Sequence, residues 1–275
     1  MAAPTPYLLH LADNALILGQ RNAEWCGHGP VLEEDIAMAN ISLDLIGQAR
    51  LLYQHAAELL RHEADADAVG ACARISEDSL AYLRDPDEFL NFTLLELPHF
   101  ASATGPLAPG ARDGRDYATT IVRNVLYDAL MLELWEKLQQ SSDLQLAAIA
   151  AQSLKEIRYH WRHSRDWLVR FGDGTGQSHA RVQAALQHLM PYTLEFWSGS
   201  PFESDAVACG AGVSALTLKP AWDRSIQLAL DEATLELPGA GSFVFQGKSG
   251  QHSEHLSYLL DEMQSLARRH PGAAW

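Results

Sequence analysis

"SSDLQLAAIAAQSLKEIRYHWRHSRDWLVRFGDGTG", residues 141–176, decides the fold. Its apolar residues recur with helical period, and the spacing predicts one long helix over about 143–171. Ser142 or Asp143 is the expected N-cap, because a short side-chain oxygen there accepts from the first free N–H groups. The glycines of "GDGTG" stop the helix. A helix of about eight turns needs a partner of similar length to cover its apolar side.

The chain supplies three such partners. Apolar residues at 121, 125, 126, 130, 132 and 134 predict a helix over about 115–140. Residues 7–25 form another, stopped by "CGHGP", and a fourth runs over about 32–62. The first turn of that fourth helix carries Glu33, Glu34 and Asp35, which suit the positive end of the helix dipole. Short breaks at 27–31 and 141–143 make two antiparallel hairpins, and the segment 63–114 must cross between them. Within it, two short helices flank "RDPDE", a fragment near 87–97 ends at Pro98, and 101–114 reads as a loop. Further helices are expected near 178–198, 219–236 and 253–269, with "GSPFESDAVACGAGVS" and "PGAGSFVFQGKSGQ" as connections. "SFVFQ" is too short to build a sheet. The expectation is one all-α domain over 1–275, a ferritin-like four-helix bundle with additional peripheral helices.

Composition narrows the function. Twenty basic against thirty-five acidic residues give a net charge of −15. Nucleic acid and anionic membrane surfaces both draw on clustered Lys and Arg, so neither is an expected partner. Cys26, Cys72 and Cys209 are scattered and odd in number, which argues against a disulfide framework or a thiolate metal site. The N-terminus lacks a basic leader and no apolar run reaches a membrane span, so a reducing, cytoplasmic setting is expected. "QGKSG" fails the spacing of a phosphate loop and reads as an exposed turn with a solvated Lys248. His28, and His252 with His255, read as capping or interface residues rather than metal ligands.

Helix bundles of this kind hold a pair of irons by six ligands: one carboxylate from each of two helices and Glu-x-x-His from each of the other two. The first helix here offers Asp13 or Asn14, plus Glu24 near its end; the second offers Asp44, with Gly47 three residues on. The third offers Asp128, and the fourth Glu156, with Tyr159 three residues on. Both histidines are missing. His160 is one residue late, rotated by ~100° from position 159. The expectation is no metal in this chain, with Asp44, Asp128 and Glu156 as interior carboxylates. Hydrogen bonds or arginines, with Arg21, Arg50, Arg123 and Arg158 as candidates, would hold them. The rival expectation is a working di-iron site with His160 as an off-register ligand.

Four long motifs, "EWCGHGPVLEEDIAMANISLDLIGQAR" (24–50), "RDPDEFLNFTLLELPHFA" (84–101), "KEIRYHWRHSRDWLVRFGDGT" (155–175) and "GQHSEHLSYLLDEMQ…HPGAAW" (250–275), carry a resemblance. The chain resembles the C-type components of bacterial ring-1,2-phenylacetyl-CoA epoxidases, multicomponent oxygenases of aerobic phenylacetate degradation. The stretches 63–82 and 101–114 depart most from the pattern and read as surface insertions. The resemblance implies a ferritin-like, non-catalytic structural subunit with no cofactor of its own. It implies that a related di-iron catalytic subunit carries the irons and substrate, that a small subunit bridges such pairs, and that a reductase brings electrons from NADPH. It places the degenerate iron positions at Asn14, Asp44, Gly47, Asp128, Glu156 and Tyr159. Alone, the chain is expected to pair as a homodimer. Trp25, Trp135, Trp161, Trp167 and Trp197 are candidate interface anchors.

Overall fold

Two helices of this chain are apolar nearly all round, and two carry a single apolar side. That difference sets the architecture. A computed structural model describes residues 1–63, 75–100, 115–239, 241–271 and 273. Helix α1 (Thr5–Ala23) buries Leu8, Leu11, Ile17 and Leu18 almost completely, as α5 (Tyr117–Leu138) buries Ile121, Leu126 and Trp135. Helices α2 (Leu32–Glu63) and α6 (Leu144–Gly172) keep one long side exposed. The pairs α1–α2 and α5–α6 pack as hairpins, and α2 runs antiparallel to α6. This is the ferritin-like bundle.

Peripheral elements cover the inner helices. The single turn α4 (Thr93–Glu96) and α8 (Pro201–Ala208) lie on α1, while α7 (Gly176–Leu189) and α9 (Ala215–Glu232) lie on α5. Helix α3 (Glu77–Tyr82) packs on α2, and α10 (Glu254–Arg269) closes over α3 and α4. Each fully buried Leu or Ile contributes roughly 1.5–3 kcal/mol, and the buried apolar set is continuous through bundle and periphery.

The hairpin turns are locally encoded. Asp35 accepts from the backbone N–H of Gly27 (2.8 Å), and Gly27 takes φ +77°, a left-handed conformation that glycine adopts without strain. Of the two expected caps for α6, Asp143 is the one used: it accepts from Leu146 N–H (3.0 Å). His55 on α2 (2.8 Å) and Ala3 N–H (2.8 Å) hold the same carboxylate. Burial pushes its pKa up, but these partners outweigh burial and hold it at about 2.

Several expectations are corrected. Residues 201–208, read as a connection, form α8, because Ser200 caps it and Pro201 stands in its first turn, where no N–H is required. The helix expected over 178–198 divides at Leu189, and Met190–Trp197 tightens into a 3-10 helix at Pro191. The helix expected over 219–236 starts at Ala215, runs through Pro220 and ends at Glu232. The 87–97 fragment is a 3-10 turn, Pro86–Glu88, followed by α4. "SFVFQ", by contrast, builds no sheet, as expected, and yields only an isolated bridge, Gln246 to Gln251. Lys248 is buried rather than solvated, with Nζ donating to Glu203 (2.8 Å) and to the Ser198 carbonyl. The loop 101–114, Cys72 and Trp275 lie outside the described residues.

Candidate functional site

The polar residues between α2 and α6 form a ladder. Glu34 meets His163 (2.9 Å), Asp44 meets His160 (3.0 Å), and Gln48 donates to Glu156 (2.8 Å). The Tyr117 hydroxyl adds a bond to Glu34 (2.7 Å), and burial with that carboxylate keeps the phenol protonated. Asp128, on α5 behind His160, accepts from the Ser164 hydroxyl (2.8 Å). Burial raises its pKa to about 7, although His160 and the Ser164 bond both oppose the rise.

The candidate iron positions divide among different surroundings. Asn14 is fully buried: its Oδ1 accepts from Phe92 N–H (2.8 Å) and its Nδ2 faces His10 Nε2 (3.3 Å). Asp44 and Glu156 are half-buried rather than interior. Gly47 lies on the exposed side of α2, with open space where a Cβ would point. Tyr159 is 42% exposed, with the Arg162 guanidinium 5.7 Å from its ring centre. The structure therefore joins Asp44, His160 and Asp128, but not Asn14, Gly47 or Tyr159. Asp13 is engaged elsewhere, bound by Arg84, Tyr53 (2.5 Å) and Leu90 N–H (2.8 Å).

Of the two expected ways of holding the three carboxylates, hydrogen bonds or arginines, the structure shows hydrogen bonds, and none of the four candidate arginines pairs with them. Arg21 binds Glu24 (2.6 Å) and the Glu96 carbonyl; Arg50 faces Glu77 (3.7 Å); Arg158 pairs with Glu136 (3.0 Å). Arg123 donates to the Pro98 carbonyl (3.0 Å). The real partners are His160, Ser164 and Gln48. Sequence separation hides them, although the helical register of His160 one turn past Glu156 is a visible signal. Two irons require six convergent ligands, and the residues do not fit them. Position 47 has no ligating atom, 159 faces outward, and no group of three or more His, Cys, Asp or Glu among the described residues could hold a metal ion.

Other candidates are also placed. Trp25 and Trp135 are core residues, and Trp161, Trp167 and Trp197 are half-buried against the core. His28 is exposed. His252 precedes α10 instead of sharing its face with His255, and binds Glu96 (2.7 Å). No helix among the described residues is long and apolar enough to cross a membrane.

Fold and site define a ferritin-like bundle with an incomplete carboxylate ladder in place of a ligand set. The chain belongs to the phenylacetic acid catabolic protein family, whose model matches residues 2–275. It is 41% identical over 271 residues, 98% of each chain, to the C component of the 1,2-phenylacetyl-CoA epoxidase of Escherichia coli (strain K12).

Proposed function

We propose that this chain is a non-catalytic structural subunit of a multicomponent di-iron oxygenase that epoxidises the aromatic ring of phenylacetyl-CoA in the cytoplasm. Its partners in this reading are a related di-iron catalytic subunit, a small bridging subunit and an NADPH-dependent reductase. One observation carries the proposal: the two turns that would present imidazole to iron present an exposed glycine and an exposed phenol instead. Likeness over nearly the whole length of an epoxidase C component supports a place in such a multisubunit complex.

The enzyme reading draws on one observation, the meeting of His160, Asp44 and Asp128. Metal quantification after ferrous reconstitution separates the two. The scaffold reading expects no stoichiometric iron on this chain and iron in the partner captured with it. Two tightly held irons per chain, lost in His160→Ala, would establish the enzyme reading.

A further inference from the structure

Tyr117, the first residue of α5, is a buried phenol that faces a base. Its hydroxyl donates to Oε2 of the buried Glu34 (2.7 Å). The same oxygen lies 2.9 Å from His163 Nε2, and no Lys or Arg pairs with Glu34 among the described residues. Tyr53 is the contrast. Its hydroxyl also meets a buried carboxylate, Asp13 (2.5 Å), but the Arg84 guanidinium binds both oxygens of that group. A fixed cation beside a carboxylate favours its charged form and weakens its hold on a proton.

Aromatic rings join Tyr117 to the surface. Trp167 on α6 lies edge-on to it, with 6.0 Å between ring centres, and Trp25 does so at 5.1 Å. Both separations are those of rings in contact. Trp25 is buried, whereas Trp167 is half-buried and meets solvent. Indole and phenol are the aromatic side chains that most readily lose one electron. An oxidised phenol is a strong acid, so the oxidising equivalent rests where a base stands within hydrogen-bond reach. Glu34 is such a base for Tyr117. Trp25 Nε1 donates to the Thr120 hydroxyl (2.9 Å), and the base beyond it, His99 Nδ1 (2.6 Å from that hydroxyl), is a poor one. Burial and the charges of Arg123 and Arg21 hold the His99 pKa well below the usual value. The Arg170 guanidinium, 5.1 Å from the Trp167 ring centre, opposes a lasting positive charge on that indole.

We propose that Tyr117 is a redox site, which yields one electron through Trp167 to an outer-sphere one-electron oxidant and holds the oxidising equivalent as a neutral tyrosyl radical. Trp167 first loses an electron to the oxidant, which is reduced by one electron. Tyr117 then returns an electron to Trp167; its O–H bond breaks, and the proton forms an O–H bond on Glu34 Oε2. One electron from a thiol or ascorbate-like reductant reverses both transfers. Burial of Tyr117 keeps the radical from coupling with another molecule. The activity belongs to this chain alone and stands whether or not the chain accompanies an oxygenase.

The probe oxidant is a ruthenium(III) tris-bipyridine complex, generated by a light flash with persulfate in a solution of the full chain. Samples are frozen at intervals and read by high-field electron paramagnetic resonance. The native chain is expected to show a tyrosyl component whose g-values report a hydrogen bond to the radical oxygen. That component outlasts the signals of the exposed Tyr159 and Tyr258. Tyr117→Phe loses it. Glu34→Gln also loses it, because an amide still accepts the hydrogen bond but does not take the proton. Trp167→Phe lowers its yield several-fold. A hydrogen-bonded component that persists in Tyr117→Phe overturns the proposal, and so does an unchanged signal in Glu34→Gln or Trp167→Phe. Should one variant not fold, the other two still decide, and absence of the component from the native chain overturns the proposal without any of them.

Discussion

Asp128 sits where a carboxylate prefers to keep its proton. Its pKa rises to about 7 in the fold because burial removes water that its charged form needs. The unfolded value is about 3.9. Between these values the folded chain holds more protons than the unfolded one, so this residue makes stability fall as pH rises from about 4 to about 7, and then level off. Asp128→Asn keeps an acceptor for Ser164 and removes the titration. It is expected to flatten that fall by about 2 kcal/mol between pH 5 and 7, measured by urea unfolding of both proteins at each pH. Equal slopes in the two proteins would show that Asp128 is already ionised in the fold. At this scale the sequence exposes residue types but not partners. Asp13 reads as a metal candidate because Arg84, which binds it, lies 71 residues away. For Asp44 and Glu156 the sequence leaves hydrogen bonds and arginines both open, because candidate charges are visible in it and a distant Gln48 amide is not.

The attachment of α10 rests on His252. Both ring nitrogens face acceptors: Nδ1 lies 2.7 Å from Glu96 Oε2, and Nε2 lies 2.8 Å from the Phe89 carbonyl. Only the doubly protonated ring donates to both. Burial alone would lower the His252 pKa, but the Glu96 bond and charge and the Phe89 carbonyl outweigh it and raise the value. A raised histidine stabilises fully below its unfolded pKa of about 6.5 and loses that contribution as pH climbs through the folded value. Glu96 also accepts from Ser253 N–H (2.6 Å), so the pair holds the start of α10. Amide exchange over Glu254–Arg269 is therefore expected to quicken from pH 6 to pH 8 beyond the intrinsic rate. His252→Gln, which cannot replace the ion pair, exchanges fast at both and costs about 3 kcal/mol. Uniform protection across pH would mean that α10 is held without the proton.

The element scale is the most legible in the sequence. The four long helices fall within a few residues of expectation, because 3.6-residue periodicity and glycine stops are local signals. The differences gather where proline admits more than one outcome: Pro201 opens a helix, Pro191 tightens one, and Pro220 sits inside one. Lys248 departs from expectation because its short turn looks polar in isolation, while Glu195 and Glu203, which enclose it, arrive from other elements.

For the whole molecule, the informative surface is the outer side of α2. Leu32, Ile36 and Leu43 are 72%, 53% and 65% exposed on one stripe, and Gly47 continues it. A glycine within a helix costs about 1 kcal/mol against alanine, and nothing among the described residues occupies the space a Cβ at Gly47 would take. An open glycine on an exposed helix stripe leaves room for the close approach of a second helix. If the chain is the structural companion proposed above, that second helix belongs to the di-iron subunit. Gly47→Ala should then stabilise the isolated chain by about 1 kcal/mol in urea unfolding. Gly47→Leu should leave the isolated chain no less stable, because leucine is a good helix former and the site is open. In the assembly, the same leucine would hold two helix backbones apart, and capture of the iron-bearing partner should weaken by about tenfold or more, near 1.4 kcal/mol. Full-strength capture by Gly47→Leu would move the contact away from this stripe. Loss of stability in the isolated variant would mean instead that the stripe is covered by the chain itself.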